Sequence, residues 1–451
     1  MNAPRCGKHM RTVLLNCGPI AHLDHGGEVP MVGSLVEEVE NLVSDCGGIV
    51  IRDNTIECIA ESSELASEYL TGGIGEHNAP SLIQTGADTT VWNISGRAVT
   101  PGFVDSHTHL LWAGDRSREV MWRQRGLSYS EIAEMGGGIS HTVFSTRAAM
   151  DQEILELGRQ RMETALHYGT TMMEVKSGYG LDTESELRLL RGAKELSQVE
   201  GLPNLDLTWL GAHAAPPSTG TMSADNNLQS YVEEILSEQL PAVLEQGLAR
   251  SGDVFCEPGW FTIDQTEEIC SAGRAGGLEI RLHVDEFCDG GGMGLASELA
   301  ATTADHAHHS PLDSRLDAKK SGTLQGFLLG TPHVMGDSMP PVNSCVENDI
   351  AFTIATDFNP NCQTLSMPFI GSLAVQRCGI DPLTALVAAT RNPATGIVRD
   401  DGLEQGVLKA GAVANLNILK ANSWESWCLQ PGVSPIHSTF ISGKPAGIEK
   451  T

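Results

Sequence analysis

Val99-Thr-Pro-Gly-Phe-Val-Asp-Ser-His107-Thr-His109 closes an apolar stretch about a quarter of the way along the 451-residue chain. Read as a strand, it puts residues i and i+2 on one face, so both imidazoles project together from its end. Two nitrogens aimed at one point can begin a metal site. The same spacing also occurs on solvated strands, so the remainder of the chain must supply further donors.

Working outward, apolar strands alternate with amphipathic helices after about residue 97. Strands are expected at Val99 to Val104, Thr170 to Val175, Leu205 to Leu210, Leu278 to Val284 and Ile350 to Thr356. Helices are expected at Asp151 to His167 and Thr183 to Gln198, the second opening on the capping-box pattern Thr183-Glu-Ser-Glu186. Thr262-Ile-Asp-Gln265 begins another, which stops at Gly276-Gly277. This alternation is that of parallel βα units. Each strand ends in polar residues: His107 and His109, Lys176, His213, His283 with Glu286, and Asp357. In a (β/α)8 TIM-type barrel those ends open onto the loops that build the active site.

The termini have a different texture. Short β stretches run from Thr12 to Ile59 and recur at Asn415 to Leu419 and Ser438 to Gly443. The expected organisation is a small β-sandwich domain formed by residues 1–96 and 401–451, flanking a catalytic barrel at 97–400. Ser62 to Thr90 lacks a period and reads mainly as loop or insertion.

Composition narrows the class. The 57 acidic residues against 29 Lys plus Arg give a net charge of −28, a field that repels nucleic acid and anionic membrane surfaces. No run of about 18 apolar residues suggests a membrane span, and the first residues lack a signal-peptide core. A cytoplasmic address is expected. The 11 cysteines are scattered without C-x-x-C spacing, which argues against a disulfide framework and a structural zinc cluster.

Several motifs in series resemble imidazolonepropionase, of the amidohydrolase superfamily. They are Pro101-Gly-Phe-Val-Asp-Ser-His-Thr-His109, Ala113-Gly-Asp-Arg116, Gly136-Gly-Gly-Ile139, Glu174-Val-Lys-Ser-Gly-Tyr-Gly180, Gly211-Ala-His213, His283-Val-Asp-Glu286 and Thr356-Asp-Phe-Asn-Pro360. The resemblance spans roughly residues 97 to 400. It implies one divalent metal ion bound by His107, His109, His283 and Asp357, a ligand set that suits Zn and Fe alike. It also implies Asp357 as the proton carrier, His306 beside the attacked carbonyl, and Glu286 holding the attacking water and the ring nitrogen of the substrate. Arg116, Tyr129, Tyr179, His213 and Asn359 would surround that small-molecule substrate, with Arg116 on its carboxylate. Arg118 and Arg123 compete for that last role, and His308 and His309 for that of His306.

The activity so implied is hydrolysis of 4-imidazolone-5-propanoate to N-formimino-L-glutamate, by a homodimer. Another cyclic amidase or a deaminase of the superfamily is the alternative, and an inactive amidohydrolase-like scaffold is a third. Lys176, within the Lys-Ser-Gly-Tyr motif, is read as a structural or substrate-loop residue and not as a carboxylated bridge between two metals. The chain departs from the family at His306-Ala-His308, where His-Leu-Glu is usual, and at Gly326-Phe-Leu-Leu-Gly-Thr-Pro-His-Val-Met-Gly336, only loosely like its Leu-Leu-Pro-Thr segment, within the region Ser310 to Glu347 that borders the site.

Overall fold

The computed structural model describes residues 10–27, 29–36, 39–75, 77–127, 131–132, 135–216 and 224–446. Eight parallel strands run in chain order: β1 (Phe103–Asp105), β2 (Thr170–Lys176), β3 (Asn204–Ala212), β4 (Ser251–Cys256), β5 (Glu279–Val284), β6 (Thr303–His306), β7 (Leu324–Phe327) and β8 (Phe352–Ile354). Each pairs with the next. The ring closes just past β1 and β8, where the Asp357 amide donates to the His107 carbonyl at 3.1 Å and the His109 amide to the Phe358 carbonyl at 2.8 Å. Asp105 seals the seam by accepting from the Thr356 amide at 3.0 Å and hydroxyl at 2.7 Å. The (β/α)8 barrel is the expected fold.

Three barrel strands, β4, β6 and β7, escape the apolar-run criterion because they are short or carry charge inward. The lumen is ionic where such barrels usually hold branched aliphatics. Alternation within strands puts Glu174 and Lys176 of β2 on one face, and likewise Arg281 and His283 of β5. Asp253 of β4 and Asp305 of β6 join them inside, all of them buried. Below this layer, Arg281 donates to the Gly396 carbonyl at 2.5 Å, and Ile397 packs on Val104 and Met172.

The outer helices are amphipathic. Asp151–His167 buries Ile154, Gly158, Met162, Ala165 and Leu166 along one stripe. Thr262 and Gln265 form the capping box expected of them. Thr183 does not. Asp182 caps that helix through the Ser185 amide at 2.7 Å, which releases Glu186 to grip the amides of Gly178, Gly180 and Leu181 at 2.7–2.9 Å. Glu186 therefore fixes the loop that presents Tyr179.

Two further sheets come from the terminal segments. One has five strands, ordered Thr55–Ala60, Gly47–Arg52, Arg11–Cys17, Thr89–Asn93, Ser81–Thr85; the other has six, ordered Lys444–Ala446, Ile436–Ile441, Leu416–Leu419, Val99–Pro101, Ile20–Ala21, Val43–Ser44. Leu14, Ile49 and Ile51 of the first pack with Val99, Leu416 and Phe440 of the second. The stretch read as loop, Ser62 to Thr90, holds a helix, Ser62–Tyr69, and the strand Ser81–Thr85. Its apolar residues are too few for a clear period because this edge is half-solvated. No helix among the described residues is long and apolar enough to cross a membrane.

The stretch expected as one strand, Val99 to Val104, is two. Val99–Pro101 belongs to the six-stranded sheet, pairing antiparallel with Leu416–Leu419, and Phe103–Asp105 belongs to the barrel. Gly102 makes the switch. A Cβ there would lie 2.3 Å from the Thr171 side chain, so only glycine lets the chain cross so close to β2.

Candidate active site

The strand ends converge on a cavity of about 480 Å³. His107 and His109 follow β1, His283 lies on β5, His306 ends β6, and Asp357 follows β8. All five are buried. Asp357 and His306 hold left-handed backbone conformations, φ 49° and 65°, as does Asp285 at 52°. For residues other than glycine these are strained, and strain of this kind gathers at functional sites.

Each of two histidines is oriented from behind by a carboxylate. His107 Nδ1 lies 2.8 Å from Asp305 Oδ2, and His283 Nδ1 lies 3.1 Å from Asp253 Oδ1. Nδ1 thus carries the proton, and the lone pair is left on Nε2. The Nε2 atoms of His107 and His283 are buried with no hydrogen-bond partner in the structure. Buried polar atoms are rarely left so, and two lone pairs brought together in this way fit the donor chemistry of a metal site. Asp357 Oδ1 lies 3.7 Å from His107 Nε2 and 3.6 Å from His109 Nε2. Ligands around a tetrahedral zinc stand roughly 3.3 Å apart, so these two separations are close to what shared coordination requires. His107, His109 and His283 form one group of donors within 4.8 Å of one another, and His107, His306 and Asp357 form a second. Burial and neighbouring cationic groups hold His107, His109 and His306 well below the usual histidine range, so they stay neutral and able to ligate or accept.

Asp357 keeps one oxygen for this cluster because the Thr331 hydroxyl donates to the other. Burial raises its carboxyl above the ordinary range. Glu286 stands 3.4 Å from His306 Nε2, and burial, with Asp357 and Glu257 near, pushes its carboxyl well up.

Arg116, Tyr179, His213 and Asn359 also line the cavity. Glu119 holds the Arg116 guanidinium in two hydrogen bonds, 2.8 and 2.7 Å, and accepts from the Gly138 amide as well. His213 donates from Nδ1 to the Gly178 carbonyl at 2.8 Å, and its ring stacks on His109 with centroids 5.0 Å apart. Burial drives it down to about 3. Asn359 lies at the wall, but its amide closes a turn: it donates to the Asp357 carbonyl at 2.8 Å and accepts from the Asn361 and Cys362 amides. Tyr129 lies outside the described residues. His308 and His309 stack on each other at 4.5 Å, and neither lines this cavity.

Sequence reasoning singled out Lys176 but missed Asp253 and Asp305 in the supporting layer. Lys176 lies beneath the cavity, 2.8 Å from Glu174 Oε1 and 2.7 Å from Asp253 Oδ2, fully buried. Burial works against its ammonium, but the two carboxylates more than offset this. It is placed as a structural residue. The available signal for Asp253 was a lone charge inside Ser251-Gly-Asp-Val-Phe-Cys256. Phe255, Trp260 and Phe287 make an aromatic wall, Trp260 stacking on Phe287 at 5.4 Å.

No family model matches the chain. Individual proteins do. The chain is 38% identical to the imidazolonepropionase of Haloarcula marismortui over 403 residues, covering 88% of this chain and 89% of that one. It is 40% identical to that of Symbiobacterium thermophilum over 376 residues, 83% of each. Among solved structures, A. niger ochratoxinase matches with a TM-score of 0.64 over 97% of this chain and 96% of that one at 16% identity. An adenosine deaminase from Xanthomonas campestris with bound zinc matches with 0.64 over 97% and 92% at 13%. At such identities the likeness is one of fold.

Proposed function

Since this chain belongs to the imidazolonepropionase family, we propose that it hydrolyses 4-imidazolone-5-propanoate to N-formimino-L-glutamate, a step of histidine degradation. His107, His109, His283 and Asp357 would hold one divalent ion, Zn or Fe. Such an ion, when bound, supplies a Lewis acid that acidifies the attacking water to a pKa of about 7.

The chain's own residues do the rest. Asp357, with one oxygen held by Thr331, takes the proton of the water and returns it to the departing ring nitrogen. A carbon–oxygen bond forms at the ring carbonyl, the carbon–nitrogen bond breaks, and the product gains a carboxylate. His306 polarises the carbonyl oxygen. Glu286 holds the water and the ring nitrogen. Arg116 binds the propionate, its plane set by Glu119, while Tyr179 and His213 flank the ring. Asn359 holds the turn after Asp357.

The observation that carries this reading is the pair of orphaned, carboxylate-backed Nε2 atoms of His107 and His283, pointing where Asp357 also points. The test follows the loss of substrate absorbance with metal-replete and chelated protein, beside metal analysis. Turnover should track bound metal. Full turnover without metal, or a preference for hydantoins or aminated heterocycles, overturns the reading.

Arg116→Ala is expected to raise KM roughly 10–100-fold, the size of the 1.5–3 kcal/mol typical of hydrogen bonds to a charged group, with metal content unchanged. Steady-state kinetics decide it. An unaltered KM would remove Arg116 from the propionate.

A further inference from the structure

The loop that carries Glu286 is held by a carboxylate to which the chemistry above gives no task. Glu257 directly follows β4 and is 2% exposed. Its Oε2 accepts from the Glu286 amide at 2.9 Å, and its Oε1 from the amides of Phe287 at 3.1 Å and Cys288 at 3.0 Å. Three successive backbone N–H groups so converge into an anion-binding nest. No lysine or arginine among the described residues pairs with Glu257. Burying a carboxylate without a cation costs stability, and here the return is a fixed backbone.

The same loop is tied on its other side. Asp285 accepts from the amides of Gly290, Gly292 and Met293 and from the Ser310 hydroxyl, at 2.5–3.2 Å. Between these two anchors the Glu286 side chain meets His306 at 3.4 Å.

We propose that Glu257 is a positioning residue for the hydrolysis: by gathering the amides of Glu286, Phe287 and Cys288 it holds the Glu286 carboxyl beside His306 at the reacting centre. The same grip sets Phe287 in the aromatic wall. This inference rests on the role proposed above for Glu286.

Glutamine at 257 offers a single acceptor oxygen and turns an NH2 group against at least one of the three amides. Glu257→Gln is therefore expected to lower kcat roughly 10–100-fold, the usual cost of losing a supporting contact, with bound metal unchanged. A double-mutant cycle with Glu286→Gln separates positioning from general support. If Glu257 acts through Glu286, adding Glu257→Gln to Glu286→Gln changes kcat by no more than about 2-fold. Should Glu257→Gln fail to fold, Glu257→Asp, one methylene shorter and still charged, should show a smaller loss with the same dependence. Equal fold-losses in both backgrounds, or a folded Glu257→Gln with undiminished kcat, overturn the inference. Full activity of Glu286→Gln alone overturns the role of Glu286 and this inference with it, whereas an impaired Glu286→Gln with additive losses overturns the inference alone.

Discussion

Asp357→Asn is expected to lower kcat by about 10²–10⁴-fold, the range associated with a positioned proton carrier. An amide is nearly the size of the carboxylate and can still accept from the Thr331 hydroxyl, so the fold should survive. It can neither take a proton from water nor return one to the ring nitrogen. Because Asp357 Oδ1 faces His107 and His109 at 3.7 and 3.6 Å, the change also removes the anionic member of the proposed ligand set. Metal content must therefore be measured beside turnover. Excess metal should restore occupancy and leave kcat low. Wild-type kcat at full occupancy would show that the proton travels elsewhere.

Lys176→Met should destabilise the fold by about 3–5 kcal/mol, the scale for removing one partner from a buried ionic cluster. The methionine fills the space, but Glu174 and Asp253 are left buried, with no exposed side-chain surface and no cation. Asp253 is also the partner of His283 Nδ1, so metal affinity should fall with stability. Denaturant unfolding reads the first effect and metal titration the second. Adding Glu174→Gln removes one of the two stranded charges and should recover part of the loss. A single variant as stable as the wild type would mean that water, and not the ammonium, solvates these carboxylates.

The contrast between these two residues shows what the sequence could reveal. Asp357 was legible because it ends a strand of uncharged residues, and His107 with His109 because the period of a strand aims alternate side chains at one point. Lys176 stood out by its motif, yet its partner Asp253 did not, since a charge in the middle of a strand counts against the strand. β4 and β6 were missed for that reason, and β7, Leu-Gln-Gly-Phe, because four residues are too short a run to stand out. An apolar-run rule presumes an apolar lumen, and here the interior ammonium of Lys176 is shared between Glu174 on its own strand and Asp253 on another. Asp305 and Glu257 were unreadable on similar grounds: their significance lies in partners remote in sequence, His107 for Asp305 and the amides of residues 286–288 for Glu257. Glu186 was misassigned to a helix cap because local spacing fits a capping box, while the unmet amides of the Tyr179 loop competed for it and won.

Gly102 carries a last consequence. Three residues before it, at most, the chain is bound to Leu416–Leu419; one residue after it, the barrel begins, and His107 follows directly. During synthesis, β1 therefore leaves the ribosome long before the strand that moors its leading end exists. Chains emerge at about 5–20 residues per second, so His107 and His109 wait many seconds before their mooring strand emerges. An apparatus that needs its end to fix its beginning cannot be trimmed at the C-terminus without loosening the histidines near the start.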